Sequence, residues 1–225
     1  MNLEEQLSIF LGQIGEKLEK LIRPLAVPSA GDKEEQEAAL RFKLYNEILA
    51  ERINSLLDPG RDLADCRILV LENGTGILSR SLAQGDVDVV AVAPTRELAR
   101  LARRLNQYPN VIYRWFDPFP VTREFDLIVC AGLLAMFPPD LAAALLVSLA
   151  GFCRRKLLLE LPLTLSWYRK IFSREKITGE FEPTRFEKEE IFSLLENTCG
   201  LLISEHRTDN NRILLKALRK AHFVH

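Results

Sequence analysis

The sequence has few of the residues that metal sites and disulfides need. Its 225 residues include four cysteines and three histidines, and the cysteines are scattered with no CxxC pair. The histidines do not recur at a metal-ligand spacing, so we expect no zinc site. Cysteines that fall within apolar segments are typical of buried thiols in a reducing compartment. We therefore expect no metal among the site residues.

The sequence also lacks an excess of charge and a long apolar run. Thirty basic against 31 acidic residues give a formal net charge of −1, which argues against a nucleic-acid binder held by bulk charge. The longest apolar run, residues 141–152, is too short to span a bilayer, and Glu4 and Glu5 interrupt any secretory signal. The basic run at residues 154–156 is expected to be a solvated face, with a phosphate site as the alternative. The sequence thus predicts a soluble, cytoplasmic protein with neither a nucleic acid nor a membrane as partner.

Residues 1–60 have the apolar pattern of helices. In the first helix, one apolar stripe recurs at steps of four and three residues. It consists of Leu7, Leu11, Ile14, Leu18 and Leu21. The stripe favours docking on the rest of the chain, and a homodimer through this helix is the alternative.

A second helix is predicted after a break at Pro24, Pro28 and Gly31. Asp32 can cap its first amides, and Glu35 is placed three residues on for a capping box. The residues expected to face inward are Leu40, Leu44, Ile48 and Ile53. We assign residues 1–60 to a helical extension or lid and residues 61–225 to a second domain.

From Arg67 onward, strands alternate with helices. The parallel strands are predicted at residues 68–71, 87–93, 111–113, 127–131 and 156–161. Such βα units predict right-handed crossovers in a doubly wound sheet. Two further strands, residues 201–205 and 213–218, are joined by a turn rich in Asp and Asn and must be antiparallel. The predicted fold is α/β, with a mostly parallel seven-stranded sheet that ends in an antiparallel C-terminal hairpin.

The segment Leu69-Val-Leu-Glu-Asn-Gly-Thr-Gly76, in this topology, resembles motif I of the class I S-adenosylmethionine-dependent methyltransferases. Gly74 and Gly76 match the last two glycines of that motif. Glycines let a ligand approach the backbone closely, and the next helix presents free amides. Three further segments resemble that family over residues 65–220, namely 116–120, 125–137 and 184–196. The likeness implies that S-adenosylmethionine is the cofactor, bound by Glu72, Asn73, Gly74, Gly76, Asp117, Phe119 and Ala131.

Three residues depart from the family pattern. Val70 stands where an acidic residue would accept from the amino group of the cofactor, and Ala93 stands where another would hold the ribose hydroxyls. Glu72 replaces the first glycine of the motif. Its carboxylate has three possible positions: against the cationic end of the cofactor, in the space that the cofactor needs, or in solvent.

The substrate side of the predicted site has weaker signals. Tyr45 can cover the cofactor or be a core tyrosine with its hydroxyl at the edge, and Trp167 and Tyr168 can line a substrate pocket or pin an inserted helix. Glu160 lies near the carboxyl end of a central strand, where open α/β sheets bind ligands, and is a candidate base.

No catalytic residue can be named, because the sequence contains no nucleophile–base pair and no G-x-S-x-G segment. The resemblance implies methyl transfer to an unidentified small molecule. The alternative is a non-catalytic protein of the same fold that acts as a binding partner or scaffold. A nicotinamide dehydrogenase is disfavoured, because Ser79 stands where the third glycine of its motif would fall.

Overall fold

The computed structural model of the protein describes residues 3–27, 31–84, 87–116, 125–163, 185–209 and 211–220. Seven strands form one sheet. They are β1 (Arg67–Leu71), β2 (Asp88–Ala93), β3 (Val111–Trp115), β4 (Phe125–Ala131), β5 (Cys153–Pro162), β6 (Leu201–Asp209) and β7 (Arg212–Arg219). The described helices are α1 (Leu3–Ala26), α2 (Lys33–Asn54), α3 (Ile77–Leu82), α4 (Arg96–Leu105), α5 (Pro139–Phe152) and α6 (Lys188–Ser193).

The strand order is β3-β2-β1-β4-β5-β7-β6. Strands β1 to β5 are parallel to one another, whereas β7 is antiparallel to both β5 and β6. This confirms the predicted mostly parallel sheet and its antiparallel C-terminal hairpin. The hairpin strands are longer than predicted, and Asn211 takes the left-handed conformation at their turn, with φ of 60°.

The two faces of the sheet bury different helices. In β1, Leu69 and Leu71 belong to an apolar cluster that includes residues of α1, α4, α5 and α6, while Ile68 and Val70 belong to a cluster with α2 and α3. Parallel strands covered on both faces are expected to be almost wholly apolar. The two N-terminal helices are thus part of the same cores as the sheet.

The apolar stripe of α1 packs within the chain, which confirms the docking prediction. Leu7, Leu11, Ile14 and Leu18 are buried, and Ile22 rather than Leu21 is the last fully buried position. The predicted helix break at Pro24 was wrong by two residues, because α1 continues to Ala26 with Pro24 in its last turn.

Helix α2 begins as predicted but presents a different face to the core. Asp32 Oδ1 accepts from the Glu35 amide at 3.0 Å, and Glu35 Oε2 accepts from the Asp32 amide at 3.0 Å, which is the predicted capping box. The prediction that Leu40, Leu44 and Ile48 face inward was wrong. All three are exposed, and the buried residues are Ala39, Phe42, Asn46, Leu49, Ala50 and Ile53. The polar Asn46 in the middle of that face concealed it from a reading of apolar periodicity.

A buried charge cluster joins the segment before β1 to strands β5 and β7. Asp62 is 2% exposed and pairs with Lys156 of β5 and with Lys216 of β7, whose Nζ lies 2.7 Å from Asp62 Oδ2. Burial alone would raise the pKa of Asp62, but the hydrogen bonds from both lysines outweigh it and lower the pKa to about 2. The expectation of a solvated basic face was therefore wrong for Lys156.

Among the described residues, no helix is long and apolar enough to span a membrane, and no three His, Cys, Asp or Glu side chains cluster to hold a metal ion. All four cysteines are free and buried. Burial raises the pKa of each thiol, to about 11 for Cys153. These cysteines are packing residues at neutral pH.

We predict that Asp62→Asn lowers the free energy of unfolding by about 3–5 kcal/mol, because it leaves two buried ammonium groups without their counter-charge. Urea unfolding followed by circular dichroism measures the change. Asp88→Asn is the control, since Asp88 is exposed at the start of β2 and its replacement is expected to cost less than about 0.5 kcal/mol. Equal stability of the two variants would contradict this role for Asp62.

Asp62 also predicts an acid-sensitive component of stability. Its pKa falls from 3.8 to about 2 on folding, so the folded chain favours the ionised form. The resulting stabilisation is complete above the unfolded pKa and is lost as pH falls from 3.8 towards 2. Unfolding free energies between pH 5 and 2 are expected to decline less steeply for Asp62→Asn than for the natural protein. Parallel slopes would contradict the assignment.

Candidate functional site

Helix α1 lies across the carboxyl edge of the sheet. Ile22 packs on Gly74 in the loop after β1, and Gly15 lies against Thr95 in the loop after β2. The ring of Phe10 lies 5.3 Å from that of Phe137, which follows β4. Open α/β sheets bind their ligands at this edge. The helix therefore covers the part of the sheet where a ligand is expected.

Glu72 folds back onto the loop that follows β1. Its side chain is 2% exposed and accepts hydrogen bonds from the Gly76 amide at 3.1 Å, the Ser79 amide at 2.8 Å and the Ser79 hydroxyl. Burial raises its pKa, and these three bonds oppose that rise. The solvent alternative was wrong. The carboxylate instead satisfies amides at the start of α3 that the resemblance assigned to a ligand.

Gly74 and Gly76 are both in the left-handed conformation, with φ of 98° and 72°. Their open sides contact protein. A Cβ on Gly74 would lie 2.5 Å from Leu98 Cδ2 and 3.0 Å from Ile22 Cδ1, and a Cβ on Gly76 would lie 2.9 Å from the Ala102 carbonyl oxygen. Glycine is thus required at both positions by backbone geometry and by close packing.

Asn73 connects the loop after β1 to helix α2. Its Nδ2 donates to Oδ1 of Asn46, and its Oδ1 accepts from the Thr75 hydroxyl at 3.1 Å. Asn46 in turn donates to the Phe42 carbonyl at 2.8 Å. All these side-chain amides are buried, so this network aligns α2 with the end of β1.

The end of β4 lies under helix α2. Ala131 is buried as its last residue, and Gly132 follows with φ of 77°. A Cβ on Gly132 would lie 3.6 Å from the Tyr45 hydroxyl and 3.9 Å from Asn73 Nδ2. The loops after β1 and β4 therefore meet beneath Tyr45.

Tyr45, Glu160 and Arg212 form a second polar cluster at the carboxyl end of β5. The Arg212 guanidinium donates to both carboxylate oxygens of Glu160, with Nη2 to Oε2 at 2.9 Å, and to the Tyr45 hydroxyl at 2.6 Å. Burial and the nearby Glu160 carboxylate raise the pKa of Tyr45. Burial alone would lower the pKa of Arg212, but the hydrogen bonds that it donates to the Glu160 carboxylate raise the pKa above its usual value. With both oxygens occupied, Glu160 is a poor candidate for a base.

The predicted site residues within the described ranges gather at one edge of the sheet, and they are Glu72, Asn73, Gly74, Gly76, Ala131, Tyr45 and Glu160. Asp117, Phe119, Trp167 and Tyr168 lie outside the described residues. Sequence reasoning missed Arg212, Asn46 and Ile22. A lone Asn on an apolar helix face is the signal that could have identified Asn46, whereas nothing local distinguishes Arg212 in a hairpin strand.

Comparison with solved structures identifies the fold. Magnesium protoporphyrin IX methyltransferase from Synechocystis PCC 6803, solved with bound SAM (S-adenosylmethionine), is 14% identical; the match covers 98% of each chain with a TM-score of 0.61. An N,N-8-amino-8-demethyl-D-riboflavin dimethyltransferase from Streptomyces davawensis is 17% identical over 84% of this chain and 59% of that one, with a TM-score of 0.62. This chain has the class I methyltransferase fold.

An O-methyltransferase family 2 protein from Planctomyces limnophilus, solved in complex with apigenin, has the same fold. It is 17% identical over 85% of this chain and 63% of that one, with a TM-score of 0.59. No protein-family model matches the sequence, and no curated protein matches it significantly. The likeness over the whole chain therefore lies in the three-dimensional structure, and the sequence resemblance is confined to short segments.

Two residues that depart from the methyltransferase pattern, Val70 and Ala93, can now be placed in the structure. Both side chains are buried, Val70 in the cluster with α2 and α3 and Ala93 in the cluster with α1. Neither can accept a hydrogen bond from a cofactor. At both positions the chain has apolar packing where the resemblance implies a charged acceptor.

We predict that the packing of Ile22 on Gly74 appears in a double-mutant cycle. Gly74→Ala is expected to cost about 2–4 kcal/mol of unfolding free energy, because it strains a positive φ and collides with Ile22 and Leu98. In an Ile22→Ala background this cost should fall by about 0.5–2 kcal/mol, since part of the collision is removed. Chemical denaturation of the four proteins measures the coupling.

Gly151→Ala is the matched control for this cycle. Gly151 lies in α5, and a Cβ there meets nothing within 4 Å. This substitution is expected to stabilise the chain by about 0.5–1 kcal/mol, because alanine is the better helix former. Strict additivity of Gly74→Ala and Ile22→Ala would contradict the contact at the carboxyl edge.

Proposed function

We propose that the protein transfers a methyl group from S-adenosylmethionine to a small molecule. The observation that carries the proposal is the class I methyltransferase sheet with a left-handed Gly74–Gly76 loop at its carboxyl edge. Two helices of the same chain cover that edge. A covered edge suits a reaction that must exclude water.

The solved neighbours support the same chemistry. Structures with this fold carry bound SAM or SAH in the magnesium protoporphyrin IX methyltransferase, and another neighbour is a dimethyltransferase of a flavin-derived small molecule. Fold analogy alone does not give a substrate, so the proposal stops at a small molecule.

The chemistry needs little from the protein beyond positioning. The cofactor supplies an electrophilic methyl group on a charged sulfonium, and the protein orients a nucleophile against it and excludes water. Tyr45 and Arg212 are the polar groups that this chain places near the ends of β4 and β5. We assign them to substrate or cofactor orientation rather than to proton transfer.

We infer that the end of α1 must move before the cofactor can reach the loop after β1. The Ile22 side chain of α1 packs on Gly74 beside Leu98 of α4, and Leu18 one turn before Ile22 is fully buried in the same cluster. Exposing these two side chains costs roughly 3–6 kcal/mol. A penalty of that size lowers the apparent affinity for the cofactor by roughly a hundredfold to ten-thousandfold.

We therefore predict that Ile22→Ala binds S-adenosylmethionine at least about tenfold more tightly than the natural protein, because it weakens the closed position of α1. Calorimetric titration with S-adenosylmethionine and S-adenosylhomocysteine measures both affinities. Ile9→Ala is the control: Ile9 is on the same helix but 53% exposed, so its replacement should leave the affinity unchanged.

Ile22→Ala loses stability, so circular dichroism must first show that it is folded. Ile22→Val is the milder variant, with an expected loss of only about 0.5–1.5 kcal/mol and a smaller gain in affinity. Gly74→Val should abolish binding in every background. No heat from the natural protein or from either folded Ile22 variant at millimolar cofactor would contradict the proposal.

A non-catalytic binding partner or scaffold is the second candidate. Three observations favour it: Val70 and Ala93 are buried apolar residues, and Glu72 occupies the amides at the start of α3. This candidate requires that weakening α1 does not create cofactor binding. The Ile22 titration therefore separates the two candidates, since tighter binding supports the enzyme and continued absence of heat supports the scaffold.

A further inference from the structure

A groove of about 940 Å³ lies between α2 and α3, and we call it the α2–α3 groove. Its α2 wall consists of Gln36, Leu40, Lys43 and Glu47, which share one face of that helix. Its α3 wall includes Ile77 and Arg80, and the ends of α1 and α4 complete the lining. The groove is distinct from the candidate site, because none of Glu72, Gly74 and Arg212 lines it. Its volume is in the range of about 300–1,000 Å³ that is typical of small-molecule sites.

Arg80 is held at this groove by neutral groups. Its Nη1 donates to Asn106 Oδ1 at 3.1 Å. Asn106 is itself fixed, because its Nδ2 donates to the Thr75 carbonyl at 2.8 Å and its backbone carbonyl accepts from the Tyr113 hydroxyl at 2.7 Å. The guanidinium is therefore oriented by an uncharged amide, and Arg80 forms no ion pair with any residue that the structure describes. Its remaining N–H groups are donors for an anionic oxygen.

The other two charges of the groove offset each other. Lys43 and Glu47 are about half exposed and form an ion pair at 3.7 Å within α2. Arg80 therefore gives the lining one net positive charge, although the whole chain has a formal net charge of −1. One oriented guanidinium without a counter-charge favours a ligand with one carboxylate, which matches the planar fork of arginine.

Apolar side chains line much of the rest of the groove. They are Pro24 and Leu25 of α1, Leu40 of α2, Ile77 of α3 and Leu105 of α4. Leu40 is 58% exposed, so a ligand that covers it removes apolar surface from water. Tyr108 adds an aromatic ring to the same lining. A purely ionic ligand would leave these side chains uncovered.

We propose that the α2–α3 groove binds a small organic carboxylate. The carboxylate accepts from Arg80, and the apolar body of the ligand packs against Leu40, Ile77 and Leu105. The inference depends on the lining of the groove and on the orientation of Arg80, and it is independent of methyl transfer.

Two probes of nearly equal shape test the class of ligand. They are 2-naphthoate and its uncharged amide, 2-naphthamide. In NMR titrations of the full-length protein, 2-naphthoate is expected to bind with a Kd of about 50 micromolar to 1 millimolar. The amide is expected to bind about three- to tenfold more weakly, because it lacks the charge that Arg80 recognises. Amide resonances of residues 77–84 and 105–108 should shift with both probes.

Arg80→Gln tests the cation. It should weaken the binding of 2-naphthoate about three- to tenfold and leave that of 2-naphthamide unchanged, so that the protein no longer distinguishes the two probes. Arg41→Gln is the control, because Arg41 is also exposed but lies outside the groove. An Arg80→Gln variant that still prefers the carboxylate, or an equal effect of Arg41→Gln, would overturn the proposal.

Leu40→Gln tests the apolar wall. It should weaken both probes about three- to tenfold, because it removes apolar contact area without changing the charge. Leu44→Gln is the matched control: Leu44 is 56% exposed on the same helix but does not line the groove, so both affinities should be unchanged. The proposal is overturned by equal effects of the two substitutions, or by a folded natural protein that does not bind 2-naphthoate at millimolar concentration.

Discussion

The packing of α1 across the loops after β1, β2 and β4 is the constraint on which the carboxyl edge of the sheet depends. Five apolar side chains of this helix, Leu7, Leu11, Ile14, Leu18 and Ile22, are buried. At about 1.5–3 kcal/mol each, they contribute roughly 8–15 kcal/mol as an upper estimate. Micromolar binding of a cofactor provides only about 8 kcal/mol. A cofactor can therefore displace the last turns of α1 but not the whole helix, which restricts any lid movement to the end that carries Ile22.

The polar groups of the loop after β1 form their hydrogen bonds within the chain. In the methyltransferase family that this loop resembles, acidic residues near the loop bind the cofactor. Here Glu72 bonds the Gly76 and Ser79 amides, while Val70 and Ala93 add apolar burial. Each of these residues removes a partner from the ligand. The capacity of the site for a ligand therefore depends on how easily the end of α1 opens.

Much of this architecture could be predicted from the sequence, for physical reasons. Buried parallel strands are nearly continuous apolar runs, and the Asp–Asn turn requires an antiparallel hairpin. The strands and their directions could therefore be predicted from the sequence. The buried face of α2 could not be predicted, because it includes the polar Asn46, whereas the exposed face includes Leu40, Leu44 and Ile48. Similarly, Glu72 could be recognised as unusual, but its bonds to Gly76 and Ser79 depend on a left-handed loop that composition does not specify. Arg212 reaches Tyr45 and Glu160 across 167 and 52 positions of sequence, beyond any local pattern.

Hydrogen exchange of the α1 amides with and without S-adenosylmethionine tests the central claim most directly. The claim is that the end of α1 closes the carboxyl edge and must leave it when the cofactor binds. The account predicts faster exchange at residues 18–26 on addition of saturating cofactor, together with slower exchange in the loop at residues 72–76 and no change at residues 7–14. Cofactor binding that leaves residues 18–26 unchanged, or slows their exchange, would contradict it.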